Sequence, residues 1–147
     1  MTTLFDSVTC GNLHLSNRVV MAPLTRNRAP HAVPTPLMAK YYSQRASAGL
    51  IISEATAITQ QGQGYADVPG LYNTAQIDAW KPVTQAVHDA GGKIVVQLWH
   101  VGRVSHTSLQ PHNAAPVAPS AIRAKTKTVL LDNGVASFVD TSMPRAL

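Results

Sequence analysis

Thr25 places a hydroxyl group just after an apolar segment of the sequence that ends in proline. Residues 18–22 predict a buried strand, and Pro23 ends it because proline lacks the N–H group that a central sheet ladder needs. Leu24 and Thr25 therefore follow the carboxyl end of a strand, where α/β sheets and barrels bind their ligands. A hydroxyl group and exposed backbone amides at this place can bond a planar polar ligand. The alternative is an ordinary strand end, with the hydroxyl bonded to its own loop backbone.

Ala55 and Gln97 stand near the ends of two further apolar runs. Residues 50–53 predict a second strand and residues 93–98 a third, and such unbroken runs suit parallel strands covered on both faces. The small side chain of Ala55 lets a flat ligand approach the backbone, although it is also ordinary in any core. The Gln97 amide offers both a donor and an acceptor, and at the end of a buried strand it needs partners. The alternative is an amide at the surface.

Other site chemistries have little support. His100, His106 and His112 recur every six residues, which is neither the spacing of a helix face nor a known zinc spacing, so we expect no metal. The sequence also lacks the glycine-rich signatures of Rossmann and P-loop nucleotide sites, and the G-x-S-x-G signature of serine hydrolases.

The composition is typical of a globular domain. The 147 residues are enough to bury a core, and 45% of them are hydrophobic. No run approaches the ~20 apolar residues of a membrane span, and the N-terminus has no signal-peptide pattern. Cys10 is the only cysteine, which fits a reducing compartment. We therefore expect a cytoplasmic protein without a membrane partner.

The formal net charge of +5 raises the question of a nucleic-acid partner. Lysine and arginine are scattered, however, and the densest group, Arg123, Lys125 and Lys127, occupies alternate positions. Alternation suits one solvated face of a strand. We expect no nucleic acid.

The elements alternate between strand and helix after an N-terminal hairpin. Gly11 and Asn12 give a two-residue hairpin signal. A first helix is predicted to begin with Thr35 as its N-cap and to end before Gly49. Its tyrosines, at helical spacing, are interpreted as packing residues.

A long loop and a second helix follow. Residues 57–73 form the loop, and long loops are often functional. Asn73 and Gln76 resemble a capping box at the start of the helix, Pro82 should kink or weaken it, and Gly91 ends it.

After the third strand, residues 121–131 and 135–139 predict a hairpin around Asp132-Asn133-Gly134. Thr141 then predicts the start of another helix, with Pro144 in its first turn.

Four stretches in this order resemble the Old Yellow Enzyme family of FMN-dependent ene reductases, in particular its N-ethylmaleimide reductase and nitrate-ester reductase branch. They are Arg18–Arg26, Arg45–Thr56, Gly64-Tyr65 with Pro69-Gly70, and Gln97–Arg103. The resemblance implies an α/β fold in which residues 1–147 form the N-terminal part of one FMN-binding domain. This part would hold the first three βα units of a (β/α)8 TIM barrel, an N-terminal β-hairpin, and a β-hairpin excursion after the third strand.

The resemblance also implies roles for individual residues. The Thr25 hydroxyl would bond the flavin carbonyl near N5 and raise the flavin potential, with the backbone of Pro23 and Leu24 against the same ring. Ala55 and Gln97 would also contact the flavin. Two aromatic residues would line the substrate pocket: Tyr65 and Trp99. Simple core packing is the alternative for Trp99.

The resemblance implies hydride transfer from NADPH through FMN to activated alkenes such as enones and maleimides, and to nitro compounds. The family's substrate-polarising pair, proton donor and phosphate grip find no match in this sequence. We therefore expect a complementing C-terminal polypeptide that completes the barrel. The alternatives are a truncated module without catalysis that acts as a structural or binding partner, and an unrelated phosphate-binding barrel fragment.

Overall fold

The computed structural model describes residues 1–132 and 134–147. Within these residues, the two α-helices are α1 (Pro36–Ser43) and α2 (Thr74–Asp89). The strands, in chain order, are β1 (Val8–Cys10), β2 (Leu13–Leu15), β3 (Val20–Met21), β4 (Leu50–Ala57), β5 (Ile94–Trp99), β6 (Val117–Ala118), β7 (Lys127–Asp132), β8 (Val135–Asp140) and β9 (Arg145–Ala146).

A parallel sheet in the order β3-β4-β5 forms the centre of the chain, with α1 and α2 as the connections between its strands. Val20 pairs with Leu50, and Ile51 pairs with Ile94. This strand–helix alternation is the α/β arrangement that the sequence predicts. The antiparallel hairpin of β1 and β2 turns at Gly11 and precedes the sheet.

The helices cover one face of the sheet. The cluster of buried side chains between them and β4 comprises Ala29, Met38, Tyr42, Ala46, Ile51, Trp80, Val83 and Val87. Tyr42 is therefore a packing residue, as the helical spacing predicts.

Helix α2 begins with a side-chain cap at Asn73. Its Oδ1 accepts the Gln76 backbone N–H at 2.9 Å, which is one half of the predicted capping box. The Gln76 side chain instead accepts the Tyr72 N–H, one residue earlier than a capping box requires. Pro82 lies inside α2, which extends on both sides of it.

Three strand predictions need correction. The first strand covers Val20–Met21 rather than residues 18–22, and Val20 is exposed rather than buried, because β3 pairs on one side only. The second strand continues to Ala57 instead of ending at residue 53. The third strand, β5, is largely exposed rather than covered on both faces, since it is the other outer strand of the sheet.

The segment after β5 also differs from prediction. Strand β7 begins at Lys127, so Arg123 and Lys125 precede it and do not form one strand face with it. Arg123 instead forms an ion pair with Asp140 at 2.8 Å. The predicted hairpin turn includes Asn133, which lies outside the described residues.

The helix predicted at Thr141 is wrong. The chain there forms β9, which runs parallel to β6, and Val117 pairs with Arg145. The Arg145 N–H donates to the Pro116 carbonyl at 2.8 Å, and the Leu147 N–H donates to the Ala118 carbonyl at 3.0 Å. These bonds to a neighbouring strand outweigh the local helix signal of threonine and proline.

Across the described parts of the chain, residues 1–132 and 134–147, no helix combines the length and apolar character needed to traverse a bilayer.

Candidate functional site

A β-bulge in β4 brings Ala55 beside Gln97. Ile51 pairs with Ile94 and Ala55 pairs with Gln97, so four steps along β4 match three steps along β5. Side chains alternate along a strand, and a bulge adds one residue to one of the two partners. Ile51 and Ile94 are paired and pack on the helix side of the sheet. Gln97 lies three residues beyond Ile94, an odd number, so its side chain is on the opposite face. Its partner Ala55 lies on that same face, away from the two helices.

The bulge consists of Ser53 and Glu54, which stand opposite the single residue Val96. The Ser53 hydroxyl donates to the Glu54 carbonyl at 2.9 Å and accepts the Gln97 N–H at 3.3 Å. The Thr56 hydroxyl donates to the same Glu54 carbonyl at 3.0 Å. The backbone beside Ala55 and Gln97 is therefore held by side-chain hydroxyls where the regular ladder is interrupted.

The loop after β3 is fixed at several points. The Arg26 N–H donates to the Glu54 carboxylate at 3.3 Å. The Asn27 side-chain amide donates to the Ala66 carbonyl, and the Ala29 N–H donates to the Asp67 carbonyl at 3.0 Å. The loop is thus tied to β4 and to the long loop that follows β4.

Thr25 and its neighbours present polar groups in this loop. Pro23 and Thr25 are half-buried, and the Leu24 side chain is exposed. Over residues 1–132 and 134–147, the Thr25 hydroxyl has no hydrogen-bond partner within the chain, so the alternative of a bond to its own loop backbone receives no support. The hydroxyl remains available to a ligand.

The Gln97 side chain is exposed in this chain rather than buried. Within the described residues, its backbone bonds Ser53 while its amide group bonds no protein atom. Gln97 therefore lies on an exposed rather than a buried strand, and its amide is free to bond a ligand.

Tyr65 and Trp99 lie against each other, with ring centroids 5.5 Å apart and ring planes inclined by 51°. Trp99 ends β5 and pairs with Ala57, two positions beyond the Ala55–Gln97 pair. Gly64 precedes Tyr65, and a Cβ atom there would lie 2.5 Å from the Val104 carbonyl oxygen. A glycine is needed at this close approach.

The β7–β8 hairpin is attached to the loop that carries Tyr65. The Thr128 hydroxyl donates to the Gly64 carbonyl, and the Ala66 N–H donates to the Val129 carbonyl at 2.9 Å. The two bonds flank Tyr65 in sequence and hold it against Trp99.

Sequence reasoning missed the pair formed by Glu54 and Tyr42. Glu54 is 1% exposed, and its Oε1 accepts the Tyr42 hydroxyl at 3.1 Å. Burial raises the pKa of the Glu54 carboxyl, while the bonds from the Arg26 N–H and the Tyr42 hydroxyl act to lower it. Burial also raises the pKa of the Tyr42 phenol. The available signal is a glutamate that directly follows residues 50–53, the predicted second strand.

No cluster of three or more histidine, cysteine, aspartate or glutamate residues that could hold a metal occurs among residues 1–132 and 134–147.

Comparison with known proteins decides the family. Residues 3–143 match the model of the NADH:flavin oxidoreductase / NADH oxidase family. The chain belongs to this family. Among curated members, it is 44% identical over 138 residues to 12-oxophytodienoate reductase 7 of Oryza sativa subsp. japonica, covering 92% of this chain and 35% of that protein. It is also 44% identical over 151 residues to chanoclavine-I aldehyde reductase of Penicillium roqueforti, covering 100% of this chain and 38% of that protein.

Solved structures of the family share the fold. A structure of morphinone reductase in complex with tetrahydroNAD matches with a TM-score of 0.95 and 52% identity, covering 100% of this chain and 41% of that one. The Old Yellow Enzyme homologue from Zymomonas mobilis matches with a TM-score of 0.92 and 49% identity, covering 99% and 40%. The chain thus spans about two fifths of these structures. Its described residues contain three parallel strands joined by two helices, which is consistent with part of a TIM barrel.

Proposed function

We propose that this chain forms the flavin-ring side of an FMN-dependent ene reductase. In the complete barrel, bound FMN would supply hydride transfer from NADPH to activated alkenes such as enones and maleimides, and to nitro compounds. The observation that carries the proposal is the convergence at one edge of the sheet. There, at the carboxyl ends of the parallel strands, Trp99 lies two positions beyond the Ala55–Gln97 pair and contacts Tyr65. The loop of Thr25 is tied to the bulge by the Arg26–Glu54 hydrogen bond.

The residues present fit the ring of FMN. The Thr25 hydroxyl and the Gln97 amide are polar groups without protein partners among the described residues, and they can bond the polar edge of a flat heterocycle. Ala55 stands on the strand between them, and its small side chain lets a flat ring approach the backbone. The backbone of Pro23 and Leu24 would contact the same ring. When bound, FMN supplies the two-electron chemistry that these side chains cannot supply themselves.

Tyr65 and Trp99 would form an apolar wall for the substrate. Their tilted rings adjoin the Gln97 end of the site, and both side chains are half-buried, which leaves aromatic surface on which an alkene can pack. NADPH is our expected donor. The family description refers to NADH, and the morphinone reductase structure holds tetrahydroNAD. Both nicotinamides therefore belong in the test.

We further propose that a complementing C-terminal polypeptide pairs with the open edges of the sheet. Strands β3 and β5 each have one neighbour among the described residues. Their exposed apolar side chains include Val20, Val95, Val96 and Leu98. Parallel strands rich in such residues are normally covered on both faces.

Split-protein reconstitution tests both proposals. The chain is co-expressed with the part of morphinone reductase that it does not match, and the complex is purified through a tag on that second polypeptide. We expect a yellow complex with an FMN absorbance spectrum that reduces 2-cyclohexenone and oxidises NADPH, with NADH run in parallel. A soluble complex of both chains that takes up no FMN from excess solution would refute the proposed function.

A further inference from the structure

We propose that Glu54 is a positioning residue for the flavin site, because its carboxylate joins the loop after β3, the bulge in β4 and helix α1. The inference rests on the proposed function, which it deepens by assigning the residue that holds Thr25 and Ala55 in place.

Both carboxylate oxygens of Glu54 already accept a hydrogen bond. Oε1 accepts the Tyr42 hydroxyl at 3.1 Å, and Oε2 accepts the Arg26 N–H at 3.3 Å. The Tyr42 hydroxyl in turn accepts the backbone N–H of Glu54 at 2.8 Å, so its hydrogen is directed to the carboxylate. This arrangement needs two acceptors on one side chain, which an ionised carboxylate provides.

The Arg26 N–H belongs to the same planar peptide group as the Thr25 carbonyl. Holding that N–H therefore fixes the plane that follows Thr25 and restricts where its hydroxyl can point. The Arg26 side chain is engaged elsewhere, because its guanidinium lies over the Tyr41 ring at 4.1 Å from the centroid. Arg26 thus meets Glu54 through its backbone.

The same carboxylate fixes the bulge. Glu54 is one of the two residues of the bulge, and its side chain accepts a hydrogen bond from Tyr42 on α1. With Glu54 held on the helix side, the next residue, Ala55, falls on the opposite face beside Gln97. One buried side chain therefore sets the backbone at two of the proposed flavin contacts.

Glu54 acts through these neighbours and not by contact. It is 1% exposed and lies on the helix side of the sheet, whereas Ala55 and Gln97 lie on the other side. The nearby cleft of about 210 Å³ that it lines with Arg26, Met38 and Tyr41 is also on the α1 side. Its effect must consequently be seen in the properties of the bound flavin.

The test compares Glu54→Gln with the wild type in the reconstituted complex. Glutamine offers one acceptor and one donor, so either the Arg26 N–H or the Tyr42 hydroxyl faces an NH₂ group. We expect the FMN dissociation constant to rise about tenfold, as the loss of one bond to a charged group implies. We also expect the flavin potential to fall, because Thr25 is less well placed.

Two further variants separate positioning from general destabilisation. Tyr42→Phe removes one donor and leaves the Arg26 bond, so its effect on the potential should be smaller. Val83→Ala makes a cavity in the same core from α2, which carries neither Glu54 nor its hydrogen-bond partners. It should lower the unfolding temperature and leave the potential unchanged.

A readout without flavin completes the test. In the FMN-free complex, the Arg26 amide should exchange its hydrogen for deuterium slowly in the wild type and faster in Glu54→Gln. Equal exchange, or a Glu54→Gln flavin potential that matches the wild type, would overturn the inference. If the wild-type complex binds no FMN, the proposed function fails and the positioning role fails with it, while the exchange measurement still reports whether the hydrogen bond exists.

Discussion

At the scale of the residue, the site depends on polar groups that the chain itself leaves unused. The Thr25 hydroxyl and the Gln97 amide find no protein partner in the described residues. By contrast, both carboxylate oxygens of Glu54 already accept hydrogen bonds within the protein. The first two residues are therefore candidates for ligand contact, and the third is a candidate for support.

Thr25→Ala should lower the flavin potential, because the hydroxyl that favours the reduced, more anionic ring is lost. One such bond is worth about 1 kcal/mol. The potential of the reconstituted complex is measured against reference dyes. Thr25→Ser keeps the hydroxyl and serves as the matched control, which should stay close to the wild type. An unchanged potential in Thr25→Ala would remove Thr25 from the proposed site.

Gln97→Ala should weaken FMN binding by about 1–3 kcal/mol through lost amide bonds, with little effect on folding. Titration of the apoprotein with FMN measures the change. Gln85→Ala is the control, since Gln85 is a glutamine on α2 whose amide bonds Asp89. Equal FMN affinity in Gln97→Ala and wild type would show that this amide does not contact the ring.

The titration of Glu54 gives a pH-dependent contribution to stability. Burial raises its pKa above the ordinary value of 4.5, so the folded state binds the proton more tightly than the unfolded state. Its contribution is then fully present below pH 4.5 and is lost as the pH rises through the raised pKa. Tyr42, Arg26 and Arg28 are the groups that act on the carboxylate from neighbouring segments, and all three lower its pKa.

Denaturation of the complex at fixed protein concentration, at a series of pH values, checks this sign. The stability of wild type minus that of Glu54→Gln should fall as the pH rises above 4.5. A difference that stays constant or rises with pH contradicts the assigned direction.

At the scale of the element, the two helix starts allow a matched comparison. Asn73 caps α2 with a side-chain bond of 2.9 Å, whereas Thr35 stands at the N-cap of α1 without such a bond. Asn73→Ala should destabilise the complex by about 1 kcal/mol. Thr35→Ala should cost less, and urea denaturation measures both. A larger loss of stability in Thr35→Ala than in Asn73→Ala would show that the side-chain cap bond does not decide how much each N-cap residue contributes to stability.

The order of strands and helices could be predicted from the sequence, because apolar periodicity and turn residues act locally. The end of β4 could not. Ser53 and Glu54 carry polar side chains that normally mark a strand end, yet the strand continues because Ser53 bonds its own neighbour and Glu54 bonds Tyr42 from another element. A local pattern does not contain that long-range bond.

The same reasoning explains the terminal segment. Threonine and proline near position 141 favour a helix start, but Arg145 and Leu147 bond the backbone around β6. In the site, the pairing of Tyr65 with Trp99 could be anticipated only through the family resemblance. The bulge that places Ala55 beside Gln97 depends on the register between two strands. The sequence of either strand alone does not determine that register.

At the scale of the whole molecule, the parallel sheet has two open edges. Within residues 1–132 and 134–147 it contains three strands, and only β4 has a neighbour on each side. Leu98 on β5 is 61% exposed and Val20 on β3 is 45% exposed. Unpaired strands with apolar side chains bind other strands, either correctly or in aggregates.

We therefore expect this polypeptide, purified free of any other chain, to self-associate and to show no turnover. Two copies supply six parallel strands, which is too few to close a barrel of eight.

Val96→Lys places a charge on the β5 edge and should reduce both self-association and the yield of the reconstituted complex. Lys81→Ala, at an exposed position on α2, should change neither. Sedimentation and NADPH-dependent reduction of 2-cyclohexenone are the measurements. Steady turnover with tightly held FMN, from a soluble monomer of this chain alone, would contradict the expectation, because it would show that the proposed completion of the sheet is not needed.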